Sequence, residues 1–202
     1  MNEIILIGSG GHARACIDVI ELADRFTIAG LIEKPGSSSR GNLGHTIIGT
    51  DSDLVKLRQK YNIALVTVGQ IKSAQSRIRL FKILQGLDFS LPVVISPMAY
   101  VSKHATIGAG TIIMHGAIVN ANAVIGKNCI INNRVLIEHD VIVGDHCHIA
   151  TGSIVNGSVS VGDETFVGSG TILKQSISIG KNCVLGAGLF IKTSYQSNQW
   201  VK

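Results

Sequence analysis

From Val101 onward an aliphatic residue returns at every sixth position: Ile107, Ile113, Val119, Ile125, Ile131, Ile137, Val143, Ile149, Val155, Val161, Val167, Leu173, Ile179, Leu185 and Ile191. No amphipathic helix has this period, and a short period sustained across residues 101–196 is the mark of a solenoid. Side chains of a strand alternate between faces, so each repeating residue and the one two positions earlier point the same way. Those earlier positions are small or apolar: Ala105, Thr111, Ala117, Ala123, Cys129, Val135, Val141, Cys147. Glycine often follows the repeating residue, as at Gly108, Gly126, Gly144, Gly162, Gly168, Gly180 and Gly186, and is expected to supply the turn. Each hexad then makes one short strand and one corner, and three hexads close a triangular coil. Sixteen hexads give about five coils stacked at roughly 4.8 Å around an aliphatic column.

At 202 residues the chain has material for one or two domains, and residues 1–95 precede the solenoid of 96–202. A net charge of +5 without a basic block, and only 4% aromatics, argue against nucleic-acid binding. The stretch Ile4–Ile7 ends at Gly8, which reads as a strand and not a signal peptide, and no segment is long enough to span a bilayer; a cytoplasmic protein is expected. Of the four cysteines, Cys129, Cys147 and Cys183 occupy inward positions and Cys16 falls on a helix. With no C-x-x-C spacing, they read as buried small hydrophobes rather than metal ligands or disulfides.

Before the solenoid, strands and helices alternate, which predicts a small parallel, Rossmann-like sheet. A strand over 3–7 ends in Gly8-Ser9-Gly10-Gly11-His12, and a helical pattern runs from Ala13 to Leu22. Strand, glycine turn and helix open nucleotide-binding α/β units, because free amides at the helix start meet phosphate oxygens. A merely tight turn gives the same sequence. Further strands are expected at Phe26–Ile32, Ile63–Val68 and Leu91–Ile95, with helices from Asp51 (as cap) to Lys60 and, basic-faced, over Ile71–Leu84. Residues 35–44 read as loop. Ligands of such sheets gather at the carboxyl ends of strands, here Gly8–His12, Glu33-Lys34 and Gly69.

Five of the seven histidines lie in the solenoid. His104 and His146 read as surface corners. His148 precedes inward Ile149 and so faces outward on a strand. His139, two residues past Ile137, projects from a corner between Glu138 and Asp140. A carboxylate bonded to one imidazole nitrogen fixes the tautomer and raises the basicity of the other. The residues alone leave open whether His139 is a general base or a surface side chain.

Strand-G-S-G-G-H-helix, the short α/β unit, S-P-M-A-Y-V-S entering the hexads and I-E-H-D-V-I-V-G together resemble one family. It is the sialic-acid O-acetyltransferase and bacillosamine-pathway N-acetyltransferase family of nucleotide-sugar acetyltransferases, which are hexapeptide-repeat acyltransferases. The resemblance covers nearly the whole chain. It implies a left-handed parallel β-helix, a homotrimer, acetyl-coenzyme A between adjacent β-helices and a nucleotide sugar in the amino-terminal domain. By the same resemblance His139 matches the general base and Asp140 the acidic residue that raises its basicity. His148, Gly157, Ser169 and Ala187 match coenzyme contacts. Gly10, Gly11 and His12 match the sugar-nucleotide loop, with Glu33, Lys34 and Gly69 as further substrate contacts. The relatives usually carry Asp-Asp where this chain has Glu33-Lys34. They also end in a G-x-P-A-K-like segment that Gln199–Lys202 does not match. The first departure bears on the nucleotide or sugar bound, the second on how the coenzyme is held.

The reading that results is acetylation of a nucleotide-linked amino sugar for surface glycans, by direct transfer with no metal. O-acetylation of sialic-acid-like sugars is the near alternative. A zinc enzyme of the γ-carbonic-anhydrase kind needs three histidines to converge, and His139, His146 and His148 do not obviously meet. A non-catalytic trimeric scaffold is the third reading, opposed by the intact Glu138-His139-Asp140 run.

Overall fold

A computed structural model gives the fold for residues 2–34, 36 and 41–202; Pro35 and residues 37–40 of the expected loop lie outside the described residues. The amino-terminal unit is a five-stranded sheet of β1 (Asn2–Ile7), β2 (Phe26–Glu33), β3 (Gly41–Asn42), β4 (His45–Thr50) and β5 (Ile63–Val66). Its order is β3-β4-β2-β1-β5, parallel except for the β3–β4 pair. Helices α1 (Gly11–Ala23), α2 (Leu54–Arg58) and α3 (Gln75–Gly86) flank it. The continuous apolar run Ile4–Ile7 is fully buried because both faces of β1 are covered.

Several expected boundaries move. His45–Thr50 forms a strand that was not expected, and Gly41–Asn42, within the expected loop, pairs with it. Thr50, not Asp51, caps the next turn: the Asp53 carboxylate accepts from the Thr50 amide at 2.8 Å. A short 3-10 turn, Asp51–Asp53, precedes α2. The strand expected at 91–95 does not join this sheet. Val94–Ile95 pairs with Ile112–Ile113 of the solenoid, because Ile95 stands six residues before Val101 and belongs to its ladder.

The solenoid is a left-handed parallel β-helix of two-residue strands in three sheets. Face I carries Val94–Ile95, Ile112–Ile113, Ile130–Ile131, His148–Ile149, Phe166–Val167, Val184–Leu185 and Trp200–Val201. Face II runs from Tyr100–Val101 to Phe190–Ile191, and face III from Thr106–Ile107 to Ser178–Ile179. The second residue of each strand points inward, forming one aliphatic column with Cys129, Cys147 and Cys183. Where the inward position two residues earlier is Thr, Ser or Cys rather than Ala or Val, its side chain has a common partner. Thr111 Oγ1 donates to Gly126 O at 2.8 Å, Ser153 Oγ to Gly168 O at 2.8 Å and Cys147 Sγ to Gly162 O at 3.1 Å. Each small donor satisfies a corner carbonyl of the next coil. The ladder shortens at its end: Ile179 bridges Tyr195 and Leu185 pairs with Val201, sixteen residues on.

The corner glycines differ from expectation. The left-handed residue lies three positions after the inward aliphatic, for example Asn122, Asn128, Asp140 and His146 with φ of 61°, 52°, 61° and 61°. The glycine directly after the aliphatic serves close stacking instead. A Cβ on Gly126 would stand 2.6 Å from the Gly144 carbonyl carbon of the next coil.

The α/β unit sits on face I. Ile112, Met114 and Ile130 pack into one core with Cys16, Ile17, Val19 and Ile20 of α1. At the corner between faces I and II, His115 Nε2 pairs with Asp18 at 2.8 Å while its Nδ1 meets Ser96 Oγ at 2.7 Å. At the corner between III and I, Phe81 of α3 packs edge-on against His146, with ring centroids 5.6 Å apart. His146 is therefore an interface residue rather than a surface one. Arg77 likewise leaves the basic face expected of its helix: at 1% exposure, it donates to Val68 O at 2.6 Å and to Asn128 O at 2.6 Å.

Candidate active site

At the carboxyl ends of β1, β2 and β5 lies a cavity of about 440 Å³. Gly10, Gly11, His12, Glu33, Lys34 and Gly69 all line it, so the six residues expected to meet substrate come together. The first turn of α1 opens onto this cavity with Gly10 as its cap, which carries no side chain to bond the first amides. Such an end presents free N–H groups and the positive pole of the helix. Asn42, unforeseen in sequence because 35–44 read as loop, clamps the turn from behind: its Nδ2 donates to Ser9 O at 2.7 Å and Gly10 O at 3.3 Å. Ser9 Oγ donates to the Glu33 carboxylate, which also accepts from the Lys34 amide at 2.9 Å. Arg79 pairs with Asp51 at 2.8 Å, and both line the cavity with Ser76.

His12 borders the cavity, with its ring centroid 6.4 Å from that of His148. Desolvation, then Arg77, then His148 lowers the His12 pKa to about 3, so the ring is neutral. His148 points away from the β-helix as its strand position requires, yet face I is covered and it is only 8% exposed. Its Nδ1 donates to Gln70 O at 2.6 Å, which leaves Nε2 to accept from Asn132 Nδ2 at 3.1 Å. Burial lowers its pKa to about 4, opposed by the bond to Gln70 and reinforced by Arg77. Both nitrogens of this expected coenzyme contact are thus held by the protein itself.

His139 lies elsewhere, at the corner between faces II and III, opposite the face that carries the α/β unit. Its Nδ1 is 2.8 Å from Asp140 Oδ2. A carboxylate accepts, so Nδ1 carries the proton and Nε2 the lone pair. No partner of Nε2 is seen among the described residues, and His139 is 57% exposed. The ring lies over Gly157 of the next coil: a Cβ there would stand 2.8 Å from Nε2. Glu138 is turned away, its carboxylate accepting from Asn120 Nδ2 at 3.0 Å. Asp140 is held below the usual carboxylate pKa, first by the amide of Asn122 and then by His139. Ser169 and Ala187 are exposed at the corner between faces I and II, a different edge from Gly157.

Cys16, Cys129, Cys147 and Cys183 are buried, and burial pushes the Cys16 thiol up to about 12. Among the described residues no three His, Cys, Asp or Glu side chains gather in a form that could hold a metal. His139, His146 and His148 occupy two corners and one face of the prism. No helix among the described residues is long and apolar enough to cross a membrane.

Comparison with known proteins finds matches in both the α/β unit and the solenoid. Residues 3–84 match the PglD N-terminal domain. Residues 104–139 and 122–157 match the bacterial transferase hexapeptide (six repeats), and 158–193 the hexapeptide repeat of succinyl-transferase. A comparison with curated proteins finds no match. Among solved structures, the chain is similar to a histidine-to-asparagine variant of perosamine N-acetyltransferase from Caulobacter crescentus in complex with CoA and GDP-perosamine. The TM-score is 0.91 at 29% identity, covering 98% of this chain and 93% of that one. It is also similar to the acetyltransferase domain of PglB from Neisseria gonorrhoeae in complex with acetyl coenzyme A, with a TM-score of 0.88 at 27% identity over 97% and 94% of the two chains. The chain is an acyltransferase, similar along both halves to nucleotide-sugar N-acetyltransferases built on hexapeptide repeats.

Proposed function

We propose that this acyltransferase moves the acetyl group of acetyl-coenzyme A to the amino group of a nucleotide-linked sugar destined for a surface glycan, with His139 as general base. The observation that carries the proposal is the His139–Asp140 bond at 2.8 Å, which directs a free imidazole lone pair outward over Gly157. The sugar amine attacks the thioester carbonyl while Nε2 takes its proton. Collapse of the tetrahedral adduct expels the thiolate, which recovers that proton from the imidazolium, leaving an amide and free coenzyme. Direct transfer is supported by the burial of all four cysteines, which leaves no accessible thiol for an acetyl-enzyme.

The α1 cavity would hold the nucleotide sugar, its phosphates at the helix amides and its sugar toward Gly69 and His12. That cavity and His139 lie on opposite sides of one β-helix, so the reaction needs a second copy. Gly157 likewise stands on one edge and Ser169 and Ala187 on another, so a coenzyme groove using all three joins two subunits. Face II, between those edges, exposes Tyr100, Ile118 and Phe190 at 59%, 41% and 57%, an apolar row suited to packing in a homotrimer. His148 enters this picture beneath the sugar loop rather than in the open groove. The amine, rather than a hydroxyl, is favoured by the N-acetyltransferases among the similar structures.

The test is thiol release from acetyl-coenzyme A with GDP-, UDP- and CMP-linked amino sugars and their hydroxyl counterparts. Turnover confined to an amino sugar supports the proposal; turnover only with hydroxyl acceptors, or with none of the panel, counts against it.

A further inference from the structure

Asn122 sits one coil below the proposed base. Its Nδ2 donates to Asp140 Oδ1 at 2.7 Å, and the other carboxylate oxygen, Oδ2, meets His139 Nδ1 at 2.8 Å. Asn122 itself has φ 61°, the left-handed corner position, where asparagine is common for backbone reasons alone. Corner residues stacked in successive coils bond elsewhere too, as Asn128 does to His146 at 2.9 Å and Asn182 to Asn198 at 2.8 Å. Among the described residues, only the Asn122 rung ends on the carboxylate that orients His139.

We infer that Asn122 is a positioning residue for the acetyl transfer, holding the Asp140 carboxylate in the rotamer that orients His139 and keeps its Nε2 lone pair outward. This rests on His139 being the base. An amide suits this role because it is neutral and fixes the carboxylate without competing for the imidazole proton. It also keeps Asp140 ionised across the range in which imidazoles change charge. The groups facing Asp140 are Asn122 from the coil below and His139 from its own corner. Glu138 is engaged by Asn120 on the other side of the strand, and the coil above offers uncharged Gly157 and Ser158.

Asn122→Gly separates the two roles of the residue, since glycine adopts φ 61° at no steric cost but carries no amide. The expected result is a kcat lower by about 3- to 10-fold, the rate equivalent of one ordinary hydrogen bond, with both KM values unchanged. The acid limb of the kcat/KM profile should move to lower pH, because a less firmly held carboxylate favours the imidazolium less. Asn122→Asp should move that limb the opposite way, by adding negative charge beside the ring. In a His139→Ala background Asn122→Gly should have no further effect. Wild-type kcat and an unshifted limb in Asn122→Gly, or an equal extra loss in the His139→Ala background, would overturn the inference. NMR titration of the His139 ring in both Asn122 variants reads the positioning without turnover. It therefore separates failure of this inference from failure of His139 as the base.

Discussion

His139 and Asp140 are neighbours in sequence whose side chains meet at 2.8 Å because Asp140 takes the left-handed corner conformation, φ 61°. In an extended strand, adjacent side chains would point to opposite faces. Asp140→Asn should therefore keep the fold and lower kcat less than removal of the ring. It should also move the acid limb of kcat/KM to lower pH, since an amide no longer favours the imidazolium. Glu138→Gln is the control, its carboxylate being turned to Asn120. Steady-state pH profiles of both variants check this; a larger effect from Glu138→Gln would reverse the assignment.

Gly11→Val addresses the cavity. A Cβ on Gly11 meets nothing within 4 Å, so the side chain would enter open space at the mouth of the α1 turn rather than damage packing. The sugar-nucleotide KM should rise by about 10-fold or more, one lost close approach at a phosphate being worth at least ~1.4 kcal/mol. Calorimetry should find acetyl-coenzyme A affinity unchanged. Equal loss of both affinities would mean that the two ligands share this cavity.

Complementation tests the two-subunit site. Gly11→Val chains have a sound base but an impaired cavity, and His139→Ala chains the reverse. Assayed well below the sugar-nucleotide KM, mixed trimers formed by co-refolding should be more active than the sum of the two variants, because some interfaces join a sound cavity to a sound base. Mixtures no more active than the sum of the parts, or a fully active monomer in sedimentation, would contradict the arrangement.

Acid should weaken the interface between the two halves. His12 and His148 titrate in the folded protein near 3 and 4, against 6.5 when unfolded. Between those values the unfolded chain binds protons that the folded chain does not, so stability falls as pH drops from 6.5 towards 4. For buried His148 the slope is at most about 1.4 kcal/mol per pH unit. Melting temperatures from about pH 7 to about 4.5 should decline, and less steeply in His148→Asn. A flat profile in the unmodified protein would show that these rings are not held neutral.

The β-helix was legible because a six-residue period specifies both the inward positions and the stacking. The cysteines and threonines two residues earlier follow from the same alternation. What the period could not show is what lies against each face. His148 faces outward as its strand position requires, but its burial depends on Gln70 and His12 of the α/β unit covering face I, a docking of two units with no local signature. Arg77 looked like one more cation on a basic helix face until Val68 and Asn128 carbonyls from both units converged on it. The six cavity residues were readable from glycine spacing and strand ends. Asn42 and Asn122 were not, since each acts across an interval of tens of residues or one whole coil on another residue's orientation.

The most direct measurement is steady-state thiol release by His139→Ala with a confirmed amino-sugar acceptor. The side chain is exposed at a corner and contributes nothing to the aliphatic column, so circular dichroism and melting should match the unmodified protein. The expected result is a kcat lower by roughly 10²–10⁴, the range for losing a positioned general base, with acetyl-coenzyme A still bound. Turnover near that of the unmodified protein would contradict the assignment of His139 as the base.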